Sequence, residues 1–190
     1  MQSDEQEGIG AARRFGIYRR ADARDYGEHN IQSMDDVTPV MAQGLRNYAS
    51  EDGSGQDVKL LYAAPGFSLT YVWFKSGYPL PLHSHSNDCL YYIVAGTLTI
   101  GREVLGAGDG FFVAKDVAYT YEPGPEGVEV LEFRKTHRLN IRFRSDDKAV
   151  WDQAAAVLAA HATSWAAELP PSAAISASPA PASVPPVSRR

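Results

Sequence analysis

A chain of 190 residues, 44% of them apolar, can bury one core, and its formal net charge of −5 with a sequence pI near 5.5 offers no basic surface to nucleic acid. No apolar run approaches the roughly 20 residues that span a bilayer, and the start, MQSDEQEGIGAARR, lacks the apolar segment of a secretory signal. A lone cysteine, Cys89, excludes an internal disulfide and fits a reducing compartment, so a cytoplasmic protein without membrane or nucleic-acid partners is expected.

In chain order, residues 1–14 are polar and Gly/Ala-rich and read as a flexible N-terminus. Arg13, Arg14, Arg19, Arg20 and Arg24 interleave with acids, which describes a solvated mixed-charge surface. Phe15 to Tyr18 suits a short edge strand. Residues 35–47 stay open between helix and coil, because Pro39 blocks a helix interior but not a first turn. Residues 50–55 are a loop by composition. From Val58 the pattern turns to strands. VKLLYAA ends at Pro65-Gly66. FSLTYVWFK is apolar on both faces. TLTIGREVL folds back about Gly101-Arg102. GFFVAK, AYTYEP and VEVLEFRK complete the series. Short strands between Gly/Pro turns predict an all-β sandwich or jelly roll. Beyond Lys135, Ser145-Asp146-Asp147 opens one amphipathic helix over 145–169, with Trp151 and Trp165 as anchors. The Pro/Ala/Ser-rich stretch 170–190 is expected to be disordered. There is no internal repeat.

Residues 76–96, SGYPLPLHSHSNDCLYYIVAG, hold the chemistry. His83 and His85 are spaced i, i+2, which on a strand puts both imidazoles on one face. Cys89 follows, then a β-prone run stopped by Gly96. The spacing Gly77, His83, His85, position 89, Gly96, with Pro79 and Pro81 before the histidines, resembles the first motif of the cupin family. The family's glutamate is replaced here by Cys89. A weaker second motif begins at Gly108-Asp109-Gly110. The family's later proline falls on Ala114, its glycine on Asp116, its histidine on Tyr119 and its asparagine on Pro123. The resemblance covers residues 58–134. It implies a cupin jelly roll, a double-stranded β-helix barrel, within residues 15–144, with the C-terminal helix flanking it.

The resemblance also implies a divalent metal ion on His83 and His85, with position 89 as a further ligand. The usual iron centre has two histidines and a carboxylate; a Cys89 thiolate in its place is softer and suits zinc or copper(I) better than magnesium or manganese, which leaves zinc or iron as the candidate metal. The histidines could equally be an interior polar couple, and Cys89 a small buried filler. Cys89, Tyr91 and Ile93 share one strand face and should line the interior together, with Tyr119 facing them. Tyr91 and Tyr119 are candidate proton-moving groups. Together with Trp73 and Tyr121 they would receive a flat or aromatic small organic molecule, unless the rings fill the barrel. His137 reads as a surface residue, His29 and His161 as structural. Three functions follow: a metal-dependent oxygenase, isomerase or lyase; a non-catalytic binding barrel; or a metal-free isomerase with a His–Tyr acid/base pair. A homodimer is expected from the family and from the Trp-bearing helix.

Overall fold

The alternation between Gln56 and Arg134 becomes the larger of two sheets, and one strand of the smaller, in the computed structural model, which describes residues 15–25, 32–51 and 55–176. Among these, the chain runs β1 (Gln32–Met34), α1 (Pro39–Glu51), β2 (Gln56–Ala64), β3 (Phe67–Phe74), β4 (His83–Ser84), β5 (Cys89–Ile100), β6 (Glu103–Gly106), β7 (Gly110–Val113), β8 (Glu122–Arg134), β9 (Leu139–Phe143), α2 (Lys148–Trp165) and α3 (Pro171–Ser176). The larger sheet has the order β2-β3-β8-β5-β6, with β7 on the side of β5. The smaller has the order β1-β9-β4, in which β1 runs parallel to β9.

Strand β3 shows why both of its faces are apolar. Seven of its eight residues are buried. Thr70, Val72 and Phe74 face the space between the sheets. Tyr71 and Trp73 face outward and are covered there instead. The Arg20 guanidinium lies 4.2 Å over the Tyr71 ring, the Tyr71 hydroxyl donates to Glu129 Oε1 at 2.6 Å, and Lys75 Nζ stands 5.0 Å over Trp73. Glu129 also accepts from the Ser172 amide at 2.6 Å and its hydroxyl at 2.9 Å, which fastens the start of α3 to the sheet.

Helices α1 and α2 close one side. Pro39 opens α1, where its missing N–H costs nothing. Gly44 is required by packing, since a Cβ there would lie 2.3 Å from Trp151 Cγ. Asp147 caps α2, accepting from the Ala149 amide at 2.8 Å. Trp151, Leu158 and Trp165 are its buried stripe. The indole N–H groups donate to Ser145 O and Ser76 O, so both rings are buried without an orphaned donor.

Several expectations change. Residues 15–18 form no strand and are exposed. The open stretch 35–47 supplies most of α1, and the loop expected at 50–55 begins after Glu51, with 52–54 outside the described residues. The segment after His137 is strand β9. The C-terminal helix spans Lys148–Trp165, shorter than 145–169. Residues 171–176, read as part of a disordered tail, are helical. Residues 1–14, His29 and 177–190 lie outside the described residues.

Candidate functional site

Between the two sheets lies a cavity of about 790 Å³. Leu45, Val58, Phe74, Leu80, Ile141 and Phe143 give it apolar wall, and Asp25, Arg46, Tyr48, Gln56 and Asp57 add polar and charged groups to the lining. Its floor is polar: Thr70, His83, His85, Tyr119, Tyr121, Glu132 and Arg134. Such a volume suits a drug-sized organic molecule.

The first motif builds the histidine side. Gly77 and Gly96 both sit at positive φ, and a Cβ on Gly96 would meet Gly127 O at 2.2 Å. His83 is on β4 and His85 just after it, their ring centroids 5.0 Å apart. Each ring is pinned through Nδ1, His83 to Pro81 O and His85 to Asn140 O, both at 2.7 Å. With Nδ1–H donating to a carbonyl, each Nε2 is left as an acceptor toward the cavity. Burial holds both imidazoles down to about 4; each histidine adds to this through its charged neighbours, His85 beside His83 and Arg134 beside His85. Both rings are therefore neutral at pH 7.

The second motif supplies the facing group. Tyr119 exchanges backbone hydrogen bonds with His83, N to O at 2.9 Å and O to N at 3.1 Å, so its ring lies 4.5 Å from the His83 ring. Asp116, where the family has glycine, adopts the same left-handed backbone, with φ of 63°. The Tyr119 hydroxyl is hydrogen-bonded to that of Tyr91. Burial raises both phenols far above their ordinary value, so they donate protons in hydrogen bonds rather than ionise.

The expected site residues divide. His83, His85, Tyr119 and Tyr121 share the cavity floor. Tyr91 stands one shell back and reaches the cavity only through Tyr119. Ile93 is fully buried in the core and does not line the cavity. Trp73 is corrected outright: it has the parity of Tyr71, so it points away from the cavity. Cys89 is not gathered with the two histidines into a group of three among the described residues. Its thiol lies 3.6 Å from Asn87 O, has Tyr91 and Arg134 as further side-chain partners, and is raised by burial. Among the described residues no three His, Cys, Asp or Glu side chains gather closely enough to hold a metal ion. The donor set thus matches a cupin metal centre in its two imidazoles and lacks the third protein ligand.

Two floor residues were not singled out from the sequence. Strand register places Glu132 opposite Tyr91 and Arg134 opposite Cys89, both inward. The two form a buried ion pair. Arg134 Nη1 also lies 3.4 Å from Thr70 Oγ1, while its Nε is buried without a partner, as is the Tyr121 hydroxyl. The signal lay in the alternation Val128, Val130, Glu132, Arg134, a buried face that turns charged at one end.

No family model and no curated protein matches this sequence. Solved structures do. An RmlC-like cupin from Shewanella frigidimarina is 26% identical over 45% of this chain and 80% of its own, with a TM-score of 0.41. KdgF from Halomonas is 19% identical over 44% and 81%, with a TM-score of 0.39. The polyketide cyclase RemF from Streptomyces resistomycificus is 18% identical over 73% and 93%, with a TM-score of 0.49. The spacing of the first motif and the sheets that present it give this chain a cupin-like fold.

Proposed function

We propose that the cavity binds a small organic molecule and moves a proton on it, an isomerase- or lyase-type reaction centred on His83 and His85. The observation that carries this is the pair of pinned, neutral imidazoles beside the Tyr119 hydroxyl. An Nε2 acceptor takes a proton from the substrate, and Tyr119 donates a hydrogen bond to the oxygen on which charge develops. Tyr91 positions Tyr119 through the shared hydrogen bond. Burial makes the imidazoles weak bases in the empty cavity. The Glu132 carboxylate works against that at His83, favouring its charged form.

Solvent deuterium exchange tests this. With acetonaphthone as probe, the methyl protons next to the carbonyl should exchange faster than in buffer. Alanine at His83 or His85 should cut the enzymatic rate by about a hundredfold, and exhaustive chelation should leave it unchanged. Exchange no faster than buffer defeats the proposal.

A second reading is a divalent metal, zinc or iron, carried by the histidine pair. The Nδ1 anchoring supports it, because that arrangement orients metal-binding imidazoles. Near-stoichiometric metal in protein purified without an affinity tag, lost in the His83→Ala, His85→Ala double variant, would favour it. The expected homodimer has a surface to use: Leu90, Tyr92 and Phe112 are 52%, 47% and 61% exposed on the outer side of β5 and β7. A monomeric mass by light scattering would exclude it. The described residues contain no helix long and apolar enough to cross a membrane.

A further inference from the structure

The cavity lining divides by exposure. Asp25, Met34, Arg46, Ala49 and Gln56 are exposed and mark its mouth, while the histidines, Tyr119, Tyr121, Glu132 and Arg134 are buried and form its floor. At the mouth the acids already have cations. Asp25 pairs with Lys59, and the partly buried Asp57 pairs with Arg20 at 2.9 Å and with Lys59 at 3.4 Å. Arg46 differs. Its guanidinium donates to Gln43 Oε1 at 2.8 Å and is in no ion pair among the described residues. The mouth therefore has a cation to offer.

On the floor the charges cancel, Arg134 against Glu132. What remains there is donor capacity. The Tyr121 hydroxyl and the Arg134 Nε–H are buried without a hydrogen-bond partner among the described residues. Arginine cannot accept, so Nε calls for an acceptor. Both residues lie within electrostatic reach of Tyr119. The acceptor they call for thus comes to the neighbourhood of the hydroxyl that the proton-transfer reading sets on the substrate's carbonyl. A carboxylate taken to the floor would lose its water and meet Glu132, whereas at the mouth it stays partly hydrated and meets Arg46. Asp25 and Asp57 in the same lining favour one negative charge there over two, which sets a carboxylate ahead of a phosphate.

We propose that the substrate class is a carbonyl-bearing organic acid, bound with its carboxylate outward on Arg46 and its uncharged carbonyl inward on the floor. This rests on the proton-transfer reading of the same cavity, and it makes Arg46 and Tyr121 specificity-determining residues.

Oxohexanoate, oxooctanoate and oxodecanoate, each with its ketone next to the terminal methyl, test it beside their methyl esters and the trimethylammonium ketones of matching length. Affinities are read by NMR titration of the full chain at low salt. At the best length the acid should bind about three- to fivefold more tightly than its ester, and the ammonium most weakly. Salt at about 0.5 M should close most of that gap, because Arg46 is exposed. Arg46→Gln should bring the acid to the level of the ester, and Arg46→Lys should keep part of the difference. Tyr121→Phe should weaken acid and ester alike, by about three- to tenfold. Its folding midpoint in urea should hold, since the hydroxyl it removes has no hydrogen-bond partner among the described residues. An ester that binds as tightly as the acid overturns the substrate class, as does an ammonium that binds more tightly or the absence of binding by every probe. An unchanged affinity or a lower midpoint in Tyr121→Phe overturns the inward carbonyl. Deuterium exchange next to the ketone of the tightest probe, if no faster than in buffer, overturns the proton-transfer reading instead and leaves the binding order to stand by itself.

Discussion

The two cupin-like motifs of this chain part company in what they keep. The first, residues 77–96, keeps backbone and chemistry except at Cys89. Its glycines at 77 and 96 take positive φ, and its histidines face the cavity. The second, residues 108–123, keeps the backbone and changes the chemistry. Asp116 takes the left-handed conformation that the family gives to glycine, and Tyr119 occupies the histidine position and bridges to His83. A fold can therefore hold its frame while the side chains it presents differ between its two motifs.

The largest effect should separate the two frames. Gly96→Ala places a Cβ at positive φ and 2.2 Å from a carbonyl oxygen, which the backbone can relieve only by moving. A loss of about 3 kcal/mol or more is expected in urea denaturation. Asp116→Gly should change stability by no more than about 1 kcal/mol, because the lost ion pair with Arg142 is partly exposed and the relaxed backbone offsets it. Similar losses in both variants would mean that the frames are equally strict.

The histidine side should be visible in the pH dependence of stability. Unfolded histidines titrate near 6.5, while both folded imidazoles are held to about 4. Between those values the unfolded chain binds protons that the folded chain refuses. Stability should therefore fall as pH drops from about 6.5 to about 4, by several kcal/mol for the pair, and level off below. His85→Asn should flatten the slope. A profile that is flat across this window would place the rings in solvent.

Restoring the second motif would sharpen the contrast. Tyr119→His adds a third imidazole next to His83 and His85, whose rings lie 4.5 Å and 6.0 Å from that of Tyr119. Three imidazoles are a sufficient protein set for zinc. The variant should retain zinc or cobalt through dialysis where the parent protein does not, measured by elemental analysis. Equal retention would mean that the two histidines already suffice, and would favour the metal reading.

Two-residue spacing made His83 and His85, and Tyr119 and Tyr121, legible in the sequence, because each pair turns to one side of extended chain. It failed on β3. Trp73 and Phe74 are both buried, one under Lys75 and the other in the cavity wall, so alternation carries no information about which faces inward. Glu132 and Arg134 were hidden for the opposite reason. Charged residues on a strand ordinarily mark the solvent face, and here they mark the floor. The helices depended on distant partners: Gly44 is explained by Trp151, and the first turn of the short α3 is held where Glu129 accepts the Ser172 amide.

Cys89 should give the smallest effect. It occupies the position of the family's carboxylate, 1% exposed, directly across from Arg134. A ligand at that position would be deprotonated and turned to the histidines. The thiol here meets Asn87 O, Tyr91 and Arg134 instead, and burial raises it, so the reactive thiolate is suppressed. Cys89→Ala should cost about 1 kcal/mol through lost packing, with no change in metal content. Thiol reagents should label the native protein slowly and the urea-unfolded chain fast. Rapid labelling in the native state, or metal lost with the sulfur, would return Cys89 to the site and make the first motif the complete metal-binding half.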